Sequence, residues 1–71
     1  MESLKREPAL WRFERLLKEL ENMMHNRGRM SKEEISILLG VPETYARQLA
    51  RALVQNNPGR YKYDKGVLEK A

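Results

Sequence analysis

The chain has 71 residues, 14 Lys and Arg against 10 Asp and Glu, a net charge of +4, one His and no Cys. That length suits one domain, and the composition excludes disulfides, thiolate metal sites and a metal centre built on several histidines. No apolar run approaches the roughly 20 residues of a membrane span and no basic stretch leads into an apolar block at the N-terminus, so a cytosolic protein is expected, or a nuclear one in a host with a nucleus.

Residues 1–8 are polar and end in Pro8, and are expected to form a flexible tail ahead of one domain over residues 9–71. From Ala9, the residues Leu10, Phe13, Leu17, Leu20 and Met24 recur at spacings of three and four, which marks one face of a helix. Gly28 ends it, with Arg27 in the last turn, where a cation suits the helix dipole. Trp11, Leu16 and Met23 flank that face, giving more apolar surface than one stripe requires. Two readings stay open: a wide core-facing stripe, or a homodimer seam through Leu10, Phe13, Leu16, Leu17, Leu20, Met23 and Met24.

Ser31 with Glu34 three residues later forms a capping box, and Met30 and Ile35 sit where a hydrophobic staple would place them. A second helix therefore starts at Lys32, turns Ile35, Leu38 and Leu39 inward, and stops at Gly40. A third begins at Pro42 or Glu43 with Ala46, Leu49, Ala50 and Leu53 inward. Asn56 or Asn57 is placed to take a left-handed cap, and Pro58-Gly59 prevents continuation. Residues 60–69 then read as a β-hairpin, because Tyr61, Tyr63, Val67 and Leu68 favour strand. Asp64-Lys65-Gly66 fits a type I turn followed by a bulge at Gly66. A third short strand at Arg29-Met30 is placed to pair with the hairpin. The fold class is mainly α with a small β-hairpin.

Charge is unevenly spread. Residues 1–43 balance eight basic against eight acidic side chains. From residue 44 to 65, Arg47, Arg51, Arg60, Lys62 and Lys65 stand against one acid, Asp64, an excess that suits an anionic partner. On the third helix Thr44, Arg47, Gln48, Arg51 and Gln55 fall on one stripe opposite the core stripe. Solvated helix faces usually mix both signs, whereas beyond Glu43 this one offers only Arg, amides and a hydroxyl. An α-helix fits the major groove of B-DNA, where Arg reaches guanine and Gln reaches adenine with paired hydrogen bonds.

Ser31-Lys-Glu-Glu-Ile-Ser-Ile-Leu-Leu-Gly-Val41, then Tyr45-Ala-Arg-Gln-Leu-Ala-Arg-Ala-Leu53, then the hairpin together resemble the winged helix-turn-helix family of DNA-binding domains. The match carries a small residue four before the turn glycine (Ser36) and apolar residues one, six and nine beyond it (Val41, Ala46, Leu49), and covers residues 29–69. Pro42 departs from the family, in which Ser usually caps the third helix. The resemblance implies three helices plus a wing, with Glu43, Thr44, Arg47, Gln48 and Arg51 facing the groove. Arg60, Lys62 and Lys65 of the wing would reach phosphates or the minor groove. Arg29 and Lys32 at the start of the second helix would hold the backbone, and Tyr45 would either donate to a phosphate or pack beside that helix. Tyr61 and Tyr63 are expected to pack on the core rather than stack on bases. Trp11 reads as core or dimer seam, and His25 as a cap or surface residue.

The expected function is double-stranded DNA binding, as in a transcription regulator. The alternative is a winged helix used as a protein-interaction module in a replication or transcription assembly. An enzyme is not expected, since the lone His has no Ser–Asp constellation beside it and no Gly-rich phosphate loop is present; no cofactor is implied.

Overall fold

Periodic apolar residues build three helices and three short strands in the computed structural model, which describes residues 9–71. In chain order these are α1 (Ala9–Arg27), β1 (Arg29–Ser31), α2 (Lys32–Leu39), α3 (Glu43–Asn56), β2 (Tyr61–Asp64) and β3 (Val67–Lys70). The tail expected over residues 1–8 lies outside the described residues.

Leu16, Leu20 and Met24 carry α1 into the core, with Phe13, Leu17 and Met23 half-buried beside them. At about 100° per residue, Leu10 falls roughly 80° and Trp11 roughly 180° from the direction of Leu20. Leu10 and Trp11 are accordingly 64% and 63% exposed, so Leu10 leaves the core stripe and Leu16 joins it. The homodimer seam needs the same correction: Leu16, Leu20 and Met24 are at most 6% exposed and are closed to a second copy.

The capping box at the start of α2 forms in both directions. The Glu34 backbone N–H donates to Ser31 Oγ at 3.1 Å, and the Ser31 N–H donates to Glu34 Oε1 at 3.0 Å. Ile35 is buried and Leu39 half-buried, while Leu38, expected inward, is 46% exposed. In a helix of two turns the inward direction lies between Ile35 and Leu39, which puts Leu38 at its edge. Gly40 takes a left-handed φ of 69°, the conformation a helix C-cap favours glycine for. Val41 N–H then donates to the Ser36 carbonyl at 3.0 Å and the Ser36 hydroxyl donates to the Val41 carbonyl, so the small polar side chain closes the turn it precedes.

Helix α3 follows at once, with Pro42 at its N-cap and no side-chain cap. Ala46, Leu49, Ala50 and Leu53 are buried, as their spacing requires. Its C-cap, Asn57, is not left-handed: φ is −132°. Instead the Asn57 backbone N–H and Nδ2 both donate to the Leu53 carbonyl, at 3.1 and 3.0 Å, and Gly59 supplies the left-handed residue with φ 81°.

The sheet is antiparallel with strand order β1-β3-β2. Register puts Met30, Leu68 and Tyr63 in one row across its inner face, and Arg29, Glu69 and Lys62 in one row across its outer face. Asp64 pairs with Val67, which leaves a two-residue loop of Lys65 and Gly66 with φ of 53° and 78°. Positive φ at both positions defines a type I′ turn, in place of the expected type I turn with a bulge. Tyr61, Met30 and Leu68 complete a core to which every helix and strand contributes.

Candidate nucleic-acid interface

The side of α3 turned away from the core carries Thr44, Arg47, Gln48, Arg51 and Gln55, and all five are exposed. Amphipathic spacing alone places them: once Ala46, Leu49, Ala50 and Leu53 point inward, these positions have no other direction. Arg47 and Arg51 have no carboxylate within 4.0 Å among the described residues. Among the other described arginines, Arg15 pairs with Glu19 at 3.2 Å and Arg27 with Glu34 at 3.9 Å, while Arg12, Arg29 and Arg60 have no carboxylate within 4.0 Å.

The hairpin turn meets the start of α2, whose Lys32 reaches toward this ridge. Lys32 N–H, the first of α2, donates to the Gly66 carbonyl at 2.8 Å. A Cβ on Gly66 would stand 3.5 Å from Lys32 Cδ, so the lysine stem lies along the turn. Lys32 Nζ reaches Glu43 Oε1 at 3.9 Å, and a shallow cleft lined by Lys32, Glu43, Thr44 and Arg47 joins the first turns of α2 and α3. Lys32 is thus half-buried and paired rather than a free surface cation, and Glu43 has its charge offset within the protein. Lys65, exposed at the tip, is the chain neighbour of the Gly66 that meets Lys32.

Of the other residues singled out from the sequence, Arg29, Arg60 and Lys62 lie apart from that cleft. Arg60 sits at the base of the hairpin, the length of β2 away from Lys65, a span of about 13 Å for four strand residues. It lines a separate cleft with His25, Tyr61 and Lys70, where Lys70 Nζ donates to the His25 carbonyl at 3.3 Å and caps the end of α1. Arg29 and Lys62 flank Glu69 on the outer face of the sheet, an alternation of sign that suits cross-strand neighbours. The Tyr45 ring stacks on Phe13 of α1, with centroids 5.9 Å apart. Tyr61 is buried and Tyr63 half-buried, both packed with the core as their alternation predicts.

One residue at the ridge escaped sequence reasoning. Tyr63 lines a groove between α3 and β2 with Arg51, Val54 and Gln55. Its hydroxyl is buried and has no hydrogen-bond partner. Strand alternation indicates which way the ring points, but nothing in a sequence indicates that its hydroxyl lacks a partner.

Compared with family models, curated proteins and solved structures, the chain matches none. Its chemistry is therefore argued from its own residues. Among the described residues no group of three or more His, Cys, Asp and Glu is placed to hold a metal ion, and no helix is long and apolar enough to cross a membrane. The α3 ridge presents two guanidinium forks, two amides and a hydroxyl from one helix. Guanidinium groups bond phosphates and guanine edges in pairs, and side-chain amides do the same to adenine.

Proposed function

We propose that this protein binds double-stranded DNA as a small winged helix-turn-helix domain, with α3 in the major groove and the β2–β3 hairpin as its wing. The observation that carries this reading is the exposed α3 ridge, whose Arg47 and Arg51 have no acidic partner among the described residues. Two arginines held out of ion pairing on one helix face gain nothing for the fold that is visible in their contacts. They suit a ligand that brings its own negative charge. Lys65 at the hairpin tip suits a phosphate flanking the groove, as does Thr44 on the first turn of α3. Gln48 and Gln55 suit base edges. Regulation of transcription is the role such a small duplex reader fits.

The test is a gel shift on mixed-sequence duplex at low salt, comparing the wild type with the double variant Arg47→Ala/Arg51→Ala. A shift with the wild type that the double variant loses supports the reading; no shift with the wild type overturns it.

A second reading rests on a different observation. Ile37 is 79% exposed and Leu38 46% exposed on α2, away from the α3 ridge. An exposed apolar pair of this kind suits a protein partner, and a winged helix serving as an interaction module would use it. Pull-down with Ile37→Glu separates the two readings, since duplex affinity should survive that change and partner capture should not. Pairing of two copies, which a reader of two half-sites would use, is left with Leu10 and Trp11 as its exposed large apolar residues on α1.

A further inference from the structure

We propose that the Tyr63 hydroxyl is a phosphate-binding donor, held in reserve in the free protein and engaged when a duplex lies along the groove between α3 and β2. The inference rests on the DNA reading above and extends it to a residue whose ring belongs to the core. A phenol hydroxyl buried without a partner is costly, because it has left water and gained no hydrogen bond. Phenylalanine would fill the same space without that penalty. The Tyr63 hydroxyl is the only buried side-chain polar atom without a partner among the described residues. Its residue's place is equally specific: Tyr63 lines a groove of about 200 Å³ whose other walls are Arg51, Val54 and Gln55.

Two of those walls belong to the ridge. Arg51 and Gln55 are exposed, long side chains that can move by rotamer change alone. When they reach out to DNA they uncover the hydroxyl without any shift of backbone. A phosphate drawn in by the Arg51 guanidinium then meets a second donor on the opposite wall. A neutral O–H donor to an anionic oxygen forms a short, charge-assisted bond. Tyr63 would thereby tie the wing strand and α3 to one point on the DNA backbone and set how the two elements sit relative to each other.

The experiment compares the full-length wild type, Tyr63→Phe and Arg51→Ala on one fluorescent duplex across a salt series, with thermal unfolding of each protein alone. Tyr63→Phe should weaken binding about tenfold, the order expected for one hydrogen bond to a charged group. It should leave the salt slope unchanged, since a neutral phenol displaces no counterion, and leave Tm unchanged or raised. Arg51→Ala should lower the slope by about one. Wild-type affinity in Tyr63→Phe overturns the inference while leaving the DNA reading standing. A Tm lowered by Tyr63→Phe also overturns it, because the hydroxyl would then have a partner in the free protein. A wild type that binds no duplex overturns the parent reading and this role together.

Discussion

Arg47 and Arg51 have neither burial nor ion pairs to contribute to the fold. Replacing either with Ala should therefore leave the unfolding free energy within about 0.5 kcal/mol of wild type, while lowering duplex affinity about tenfold each. Calorimetry beside a binding titration checks both halves. Gly40 is the converse case. A Cβ there would meet nothing within 4 Å, so only its φ of 69° resists substitution. Gly40→Ala should destabilise by about 1–2 kcal/mol through backbone conformation alone, without touching the ridge. Both residues were legible in the sequence because their causes are local: a stripe opposite a core stripe, and a glycine just past a helix. Leu38 and Asn57 were not. Whether an edge residue of a two-turn helix is covered depends on what packs beside it. Asn57 satisfies the helix end through its side-chain amide, which removes the need for a left-handed backbone.

At the scale of elements, α2 depends most on its start. Only two turns long, it takes its definition from the Ser31–Glu34 box. Ser31→Ala should cost about 1 kcal/mol, read as a lower denaturant midpoint at unchanged slope. The hairpin shows how one residue of register escapes sequence reasoning. Asp64-Lys65-Gly66 suits both a type I turn with a bulge and a type I′ turn; the pairing of β1 on the far side of β3 and the bond from Lys32 N–H to Gly66 accompany the tighter form. That form leaves Lys65 at φ 53°, where Asn sits more easily. Lys65→Asn should thus hold or slightly raise stability while weakening duplex binding by several-fold, measured as Tm and affinity on the same protein. An unchanged affinity would remove Lys65 from the interface. The same register explains why Arg29 and Lys62 fall on the outer face and Arg60 at the hairpin base. Charge counted along the chain gathered Lys62 and Arg60 with Lys65, but the strand pairing separates them.

Across the whole molecule the core is small and shared. Leu20, Met24, Met30, Ile35, Leu49, Leu53 and Leu68 are its fully buried large side chains, drawn from α1, β1, α2, α3 and β3. A domain of 71 residues has a total stability of about 4–10 kcal/mol, and Leu49→Ala should remove about 2–5 of it. Thermal melts should show that variant partly unfolded near physiological temperature. The order of the elements and the composition of this core could be read from periodicity, since each element buries one face. What periodicity does not carry is how the faces meet: that the hairpin turn rests on α2, that Lys32 pairs with Glu43, and that the Tyr63 hydroxyl is buried without a partner. With Lys32 paired and Arg60 remote, Arg47 and Arg51 on α3 and Lys65 at the hairpin tip remain as the cations offered to a duplex under the proposed reading, with Lys32 as a fourth once a phosphate competes for it. The measurement that bears most directly on this geometry is duplex affinity against salt for the wild-type protein. A log–log slope of about −3 to −4 is predicted for three to four phosphates, falling by about one in Arg51→Ala. Affinity that stays flat from low to high salt, or a slope that Arg51→Ala leaves untouched, would contradict it.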